Sequence, residues 1–171
     1  MPKWYGGSTL NPDDLISPDE QWIMQWERIE RWYSRVLEVQ QKSEKQELDS
    51  YDLDIIIAFF QNAWHLKDWL LASRPDLNSD ITNLFHSSYE MGACRDICNG
   101  FKHKSFNHPT HDPDFNLYRE YDHFEIEGGS PIKYRIAFAD GTDVRKFVLF
   151  ELVTTVYKIL QDFLDNEKLV D

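Results

Sequence analysis

The sequence predicts a mainly α-helical domain, an antiparallel four-helix bundle with a small β-hairpin inserted before the last helix. Three observations carry this. Apolar residues recur at three- and four-residue intervals through most of the chain. The links between the first three helical stretches are short, which favours antiparallel neighbours. Between about 117 and 140 the pattern changes to alternation, with Tyr134, Ile136 and Phe138 on one side of a strand.

Residues 1–16, rich in Gly, Pro and Asp, read as an irregular arm, and 17–171 as a single domain. "SPDE" at 17–20 reads as a helix start: Ser17 as cap, Pro18 in the first turn and Glu20 closing a capping box. The first helix then runs to about Glu44, on a stripe of Trp22, Trp26, Ile29, Tyr33, Val36 and Leu37. The second begins near Ser50 or Asp52 and ends near Ser73. Its first half, with "IIIAFF" at 55–60, is apolar on most sides, as a central helix is. After the loop "RPDLNSD", Asp76, Asn78 or Ser79 caps a third helix over about 79–99 or slightly beyond, with Asn99-Gly100 as its stop. "YREYDHFEIEGG" and "PIKYRIAFADG" form the hairpin, and 143–166 returns to helical spacing for the fourth helix.

With 171 residues, 42% of them hydrophobic and 15% aromatic, the chain has the size and content to bury a core. The formal net charge of −12 sets most of the surface against nucleic acid and anionic lipid, so an RNA contact needs a local patch. No apolar run reaches the length of a signal-peptide core or a membrane span. The two cysteines, Cys94 and Cys98, stand one helical turn apart on an apolar arc, a placement for core residues and not for a disulfide. These features together point to a cytoplasmic protein.

One segment breaks the acidic pattern. Residues 95–111, "RDICNGFKHKSFNHPTH", carry Arg95, Lys102 and Lys104 against the single acid Asp96, with three histidines. At about 100° per residue, Arg95, Asn99 and Lys102 share an arc, flanked by Asp96 and His103. On the second helix His65 stands three residues before Asp68, and these two can meet the arc if the helices are neighbours. This is the most plausible place for a phosphate group, and so for RNA.

"CRDICNGFKH" on a helical bundle resembles the HEPN superfamily, whose motif is an Arg, a polar residue and, after a few further positions, a His. Arg95, Asp96 and His103 match it, with seven residues between Arg95 and His103, one more than the usual pattern. "FFQNAWHLKDWL" and "CRDICNGFKH" together are similar to a group of bacterial helical proteins over about half the chain. The superfamily resemblance implies a metal-independent endoribonuclease of a defence or toxin–antitoxin system, working as a homodimer, with no cofactor. It implies His103 as acid/base and Arg95 stabilising the phosphorane, with Asp96 or Asn99 orienting them.

Other readings stand beside this one. The same polar residues can form a network that fixes helix pairing, with Arg95 bound to a carboxylate such as Asp68. The whole chain can be a non-catalytic helical module that binds a protein partner, which its acidity suits. A metal site from His65, Asp68, Asp96 and His103 lacks the repeated Glu-x-x-His pattern of di-metal bundles, and the spacing of His108, His111 and Asp112 is not diagnostic.

Overall fold

The computed structural model describes residues 20–102, 116–121, 132–140 and 143–169. They form five α-helices and one antiparallel sheet: α1 (Gln21–Ser43), α2 (Ser50–Ser73), α3 (Asn78–His86), α4 (Tyr89–Lys102), β1 (Asn116–Tyr121), β2 (Ile132–Asp140), β3 (Asp143–Val148) and α5 (Leu149–Asn166). The expected arm and the Ser17–Pro18 helix start lie outside the described residues.

The middle of the domain is α2, which packs against every other helix. Its apolar sequence explains this position, since Ile55, Ile56, Phe59, Phe60, Ala63, Leu66 and Leu70 are all buried. From α1 come Trp22, Trp26, Ile29, Val36 and Val39. Leu37, expected in that stripe, is exposed, because a 3.6-residue turn that buries Val36 swings the next side chain outward. An aromatic ladder joins three helices: Trp26 and Tyr33 of α1 both stack on Tyr157 of α5, and Tyr33 meets Phe59 of α2. A buried Gln25 ties α1 to α2 by donating to the Asn62 carbonyl at 2.8 Å, and its own oxygen is satisfied by Arg28 at 2.7 Å.

The start of α2 is closed on both sides. The Asp49 carboxylate accepts from the Asp52 amide, and the Asp52 carboxylate accepts from the Asp49 amide, each at 2.9 Å. Asp52 is buried and also takes the Lys42 ammonium at 2.6 Å, which pins the end of α1 to the start of α2. Asp52→Ala removes the acceptor from two donors at once. It is expected to cost about 2 kcal/mol in chemical denaturation, more than loss of an ordinary cap.

Three departures from the sequence reading concern the second half. The expected third helix is two helices, broken at Ser87-Ser88. Ser88 Oγ accepts from the Met91 amide at 3.2 Å and its carbonyl accepts from the Gly92 amide at 3.1 Å, so the chain restarts a helix there. α4 does not end before Lys102, slightly beyond the expected Asn99-Gly100 stop. The expected caps of α3 are not used either: Asp76 instead forms a two-point ion pair with Arg74 at 2.9 and 2.7 Å.

The third departure is in the sheet. The hairpin of β1 and β2 is present, with Leu117 opposite Ile136 and Tyr121 opposite Ile132. Residues 143–148, expected as helix, are a third strand paired antiparallel to β2, with Asp140 opposite Asp143 and Phe147 opposite Ile136. "ADGTD" is a turn signal of hairpin length, and Val144, Phe147 and Val148 suit a strand. The sheet rests on the helices through Tyr134 and Ile136, both buried. The Tyr134 hydroxyl accepts from the Leu48 amide at 3.0 Å, which fastens the sheet to the α1–α2 link. Among the described residues no helix is long and apolar enough to cross a membrane.

Candidate functional site

The break between α3 and α4 opens a cleft of about 410 Å³, lined by Phe85, His86, Ser87, Ser88, Tyr89, Gly92 and Arg95. Each side has a sequence cause. Phe85 is fully buried at the end of α3 and holds the floor against Trp64 of α2, ring edge to face at 5.5 Å. Ser88 starts α4, and Gly92, one turn later, contributes no side chain to fill the space. Arg95 follows one more turn along the same face. The volume is in the range of small-ligand sites.

Arg95 is half-buried, and its Nε lies 3.4 Å from Asp96 Oδ1. Asp96 is itself buried, so it works from beneath Arg95 and not from the open side of the arc. Asn99 is half-buried on α4, and Lys102 is the last described residue of that helix. His103, His108, His111 and Asp112 lie outside the described residues, so the spacing between Arg95 and the expected acid/base has no geometry here. On α2, His65 and Asp68 do not meet the arc as a pair. The His65 Nε2 is 3.8 Å from Cys98 Sγ, on the cysteine side of α4, and Asp68 is exposed. Asp68 is absent from Arg95's contacts; Arg95's carboxylate is its own neighbour, Asp96.

Cys94 and Cys98 are both buried, as the apolar arc requires. Cys94 Sγ donates to the Phe60 carbonyl at 3.5 Å, and burial pushes its thiol well above the ordinary cysteine value. A thiol held in that state is a packing group and not a nucleophile. Among the described residues no three His, Cys, Asp or Glu side chains gather as a metal site.

Two groups at the cleft are missing from the sequence reading. His86 ends α3 at the cleft wall, and Lys67 of α2 places its Nζ 3.0 Å from His86 Nε2. Trp64 lies beneath both, its ring 5.7 Å from the Lys67 ammonium and 6.4 Å from the imidazole. The signal for this corner was the serine pair at 87–88, a helix-start residue type in the six-residue interval between the buried Phe85 and Met91. Desolvation first, then the charges of Lys67 and Arg95, hold the His86 imidazole below its usual 6.5. An NMR titration is expected to place its midpoint below 6.5, and Lys67→Met to move it upward. The sign for stability follows: the fold disfavours the charged imidazole, so lowering pH through the ordinary histidine range removes stability until the lowered value is passed.

Two smaller clefts lie nearby. One, of about 320 Å³, is lined by Tyr89, Glu90, Arg145, Lys146 and Phe147, with the Arg145 guanidinium 3.7 Å from the Tyr89 ring centroid. The other, of about 310 Å³, sets Arg135 and Lys146 among Glu90 and Glu151. No family model, no curated protein and no solved structure matches this chain.

Proposed function

We propose that this protein is a HEPN-like four-helix bundle that cleaves RNA without a metal ion, as a cytoplasmic homodimer in a bacterial defence or toxin–antitoxin system. One observation carries the proposal: Arg95, the arginine of the expected motif, lines an open cleft of ligand size in a chain whose surface is otherwise strongly acidic. In the reaction, His103 takes the proton from a ribose 2′-hydroxyl, and that oxygen attacks phosphorus. Arg95 stabilises the negative charge that builds on the phosphorane oxygens. The bond to the 5′-oxygen breaks, the leaving oxygen takes a proton from a protonated His103 of the second subunit or from water, and the product ends in a 2′,3′-cyclic phosphate. Asp96, buried beside Arg95, holds the arginine in place, and Asn99 stands one turn further along α4.

The test is an RNA-cleavage assay in chelator. Wild-type protein is expected to leave cyclic-phosphate ends, and His103→Ala to lower the rate by about 10²- to 10⁴-fold with the fold unchanged. Absence of cleavage by the wild-type protein favours the second reading, a non-catalytic helical module that binds a protein partner. The observation on that side is the net charge of −12, which repels RNA away from the cleft and suits a basic protein surface.

A further inference from the structure

The cleft adds to Arg95 two groups that the cleavage chemistry leaves unused, His86 and Ser88. Among the described residues its lining contains no acid, although the chain has 30 acids against 18 Lys and Arg. The neighbouring cleft of about 310 Å³ lacks this character, because Glu90 and Glu151 stand among its cations. Arg95 spends its Nε on Asp96, so the two terminal nitrogens of its guanidinium remain for a ligand.

The tautomer of His86 is set by its partner. An ammonium group has protons to give and no lone pair to offer, so the 3.0 Å contact makes Lys67 the donor and His86 Nε2 the acceptor. The imidazole proton is then on Nδ1, and the ring presents a donor on its other side. Ser88 Oγ accepts from the Met91 amide, which leaves its own proton to donate, whereas Ser87 gives its proton to the Leu84 carbonyl at 3.0 Å.

The geometry points to a phosphate-binding site between the end of α3 and the first turns of α4, made by the Arg95 guanidinium, His86 Nδ1–H and the Ser88 hydroxyl, with Lys67 behind the imidazole. His86 is here a donor that positions a phosphate and not an acid/base. Gly92 supplies the room: any side chain at this position projects into the cleft that the phosphate fills. The ligand chemistry is a phosphate oxygen, from an RNA backbone or from a free phosphate. The RNA source rests on the function proposed above, and the phosphate held is then the reacting one, on the same Arg95 fork. The free-phosphate source does not.

Calorimetric titration separates these. The probes are inorganic phosphate and a short 2′-O-methyl oligoribonucleotide, which carries the phosphates and has no 2′-hydroxyl to react. Wild-type protein is expected to bind both, with phosphate displacing the oligonucleotide. Arg95→Gln and Gly92→Leu are expected to weaken both at least about tenfold. His86→Ala weakens them as well. His86→Asn, whose amide nitrogen sits where Nδ1 does, restores binding, an outcome that a merely structural role for the ring does not give. Circular dichroism checks each variant, and if Gly92→Leu does not fold, Arg95→Gln decides between the outcomes. Phosphate binding without oligonucleotide binding keeps the site and assigns it a free phosphate, while removing RNA as its ligand. No binding of phosphate, or binding equal in Arg95→Gln, His86→Ala and wild type, overturns the site whatever the cleavage assay gives.

Discussion

Phe59→Ala is expected to cost about 4 kcal/mol, read from chemical denaturation at fixed slope. Phe59 has no solvent exposure and lies on the face of α2 that meets α1, with its ring 6.0 Å from Tyr33 and 5.4 Å from Phe60. The cost has two parts. The transfer of a benzyl group back to water accounts for about half of it, and the hole left behind for the rest, since neighbours that are already close-packed cannot collapse into it. Tyr33 is stacked on Tyr157 at 3.9 Å, nearly parallel, so moving it inward would break a second contact to α5. For a domain of this length a loss of that size lowers the melting temperature by roughly 8–16 °C. A change under about 1 kcal/mol would mean that α2 is not the centre of the core.

The central role of α2 was legible because six consecutive apolar residues at 55–60 leave no face for water. The polar arc of α4 was less so. Helical periodicity correctly sorted Cys94, Ile97 and Cys98 to the buried side, but it set Asp96 on the open side, where the packed helix buries it. An angular projection treats a helix as lying on one flat surface. α4 is covered by both α2 and α5, so its buried arc is wider than a single stripe. The register of α2 against α4 was beyond the sequence altogether. His65 reaches Cys98 while Asp68, three residues later, is exposed, because the direction in which α4 crosses α2 decides which turn of α2 it covers.

The corner that makes the cleft depends on one local choice. Ile81 and Phe85 stand four apart and Met91 and Cys94 three apart, both helical intervals, so the stretch reads as one helix, although Phe85 and Met91 stand six apart. Ser87-Ser88 falls in that six-residue interval, and Ser88 supplies the hydrogen bond that restarts the helix. The break turns His86 and Arg95 toward the same space from two different helices. It has the opposite effect to the error at 143–148, where helical spacing in a short apolar run hid a strand that only the turn before it announced.

Arg95→Lys is expected to slow RNA cleavage by about 100-fold while leaving the melting temperature nearly unchanged, and the difference between these two numbers separates chemistry from architecture. A hundredfold rate loss corresponds to about 2.7 kcal/mol of transition-state stabilisation, the size found when one preorganised donor is removed from a developing oxyanion. The structural contact of Arg95 is weaker than that: one nitrogen 3.4 Å from its neighbour's carboxylate, on a side chain 22% exposed, a pairing worth no more than about 1 kcal/mol. Lysine is the informative replacement because Asp96 is buried. Alanine would remove the cation that lies 3.4 Å from that buried carboxylate and add a folding cost to any catalytic one. Lysine keeps a positive charge beside Asp96 and loses the planar fork that two phosphorane oxygens need. A large fall in melting temperature with unchanged cleavage would assign Arg95 to helix packing, and unchanged values of both would remove it from the site.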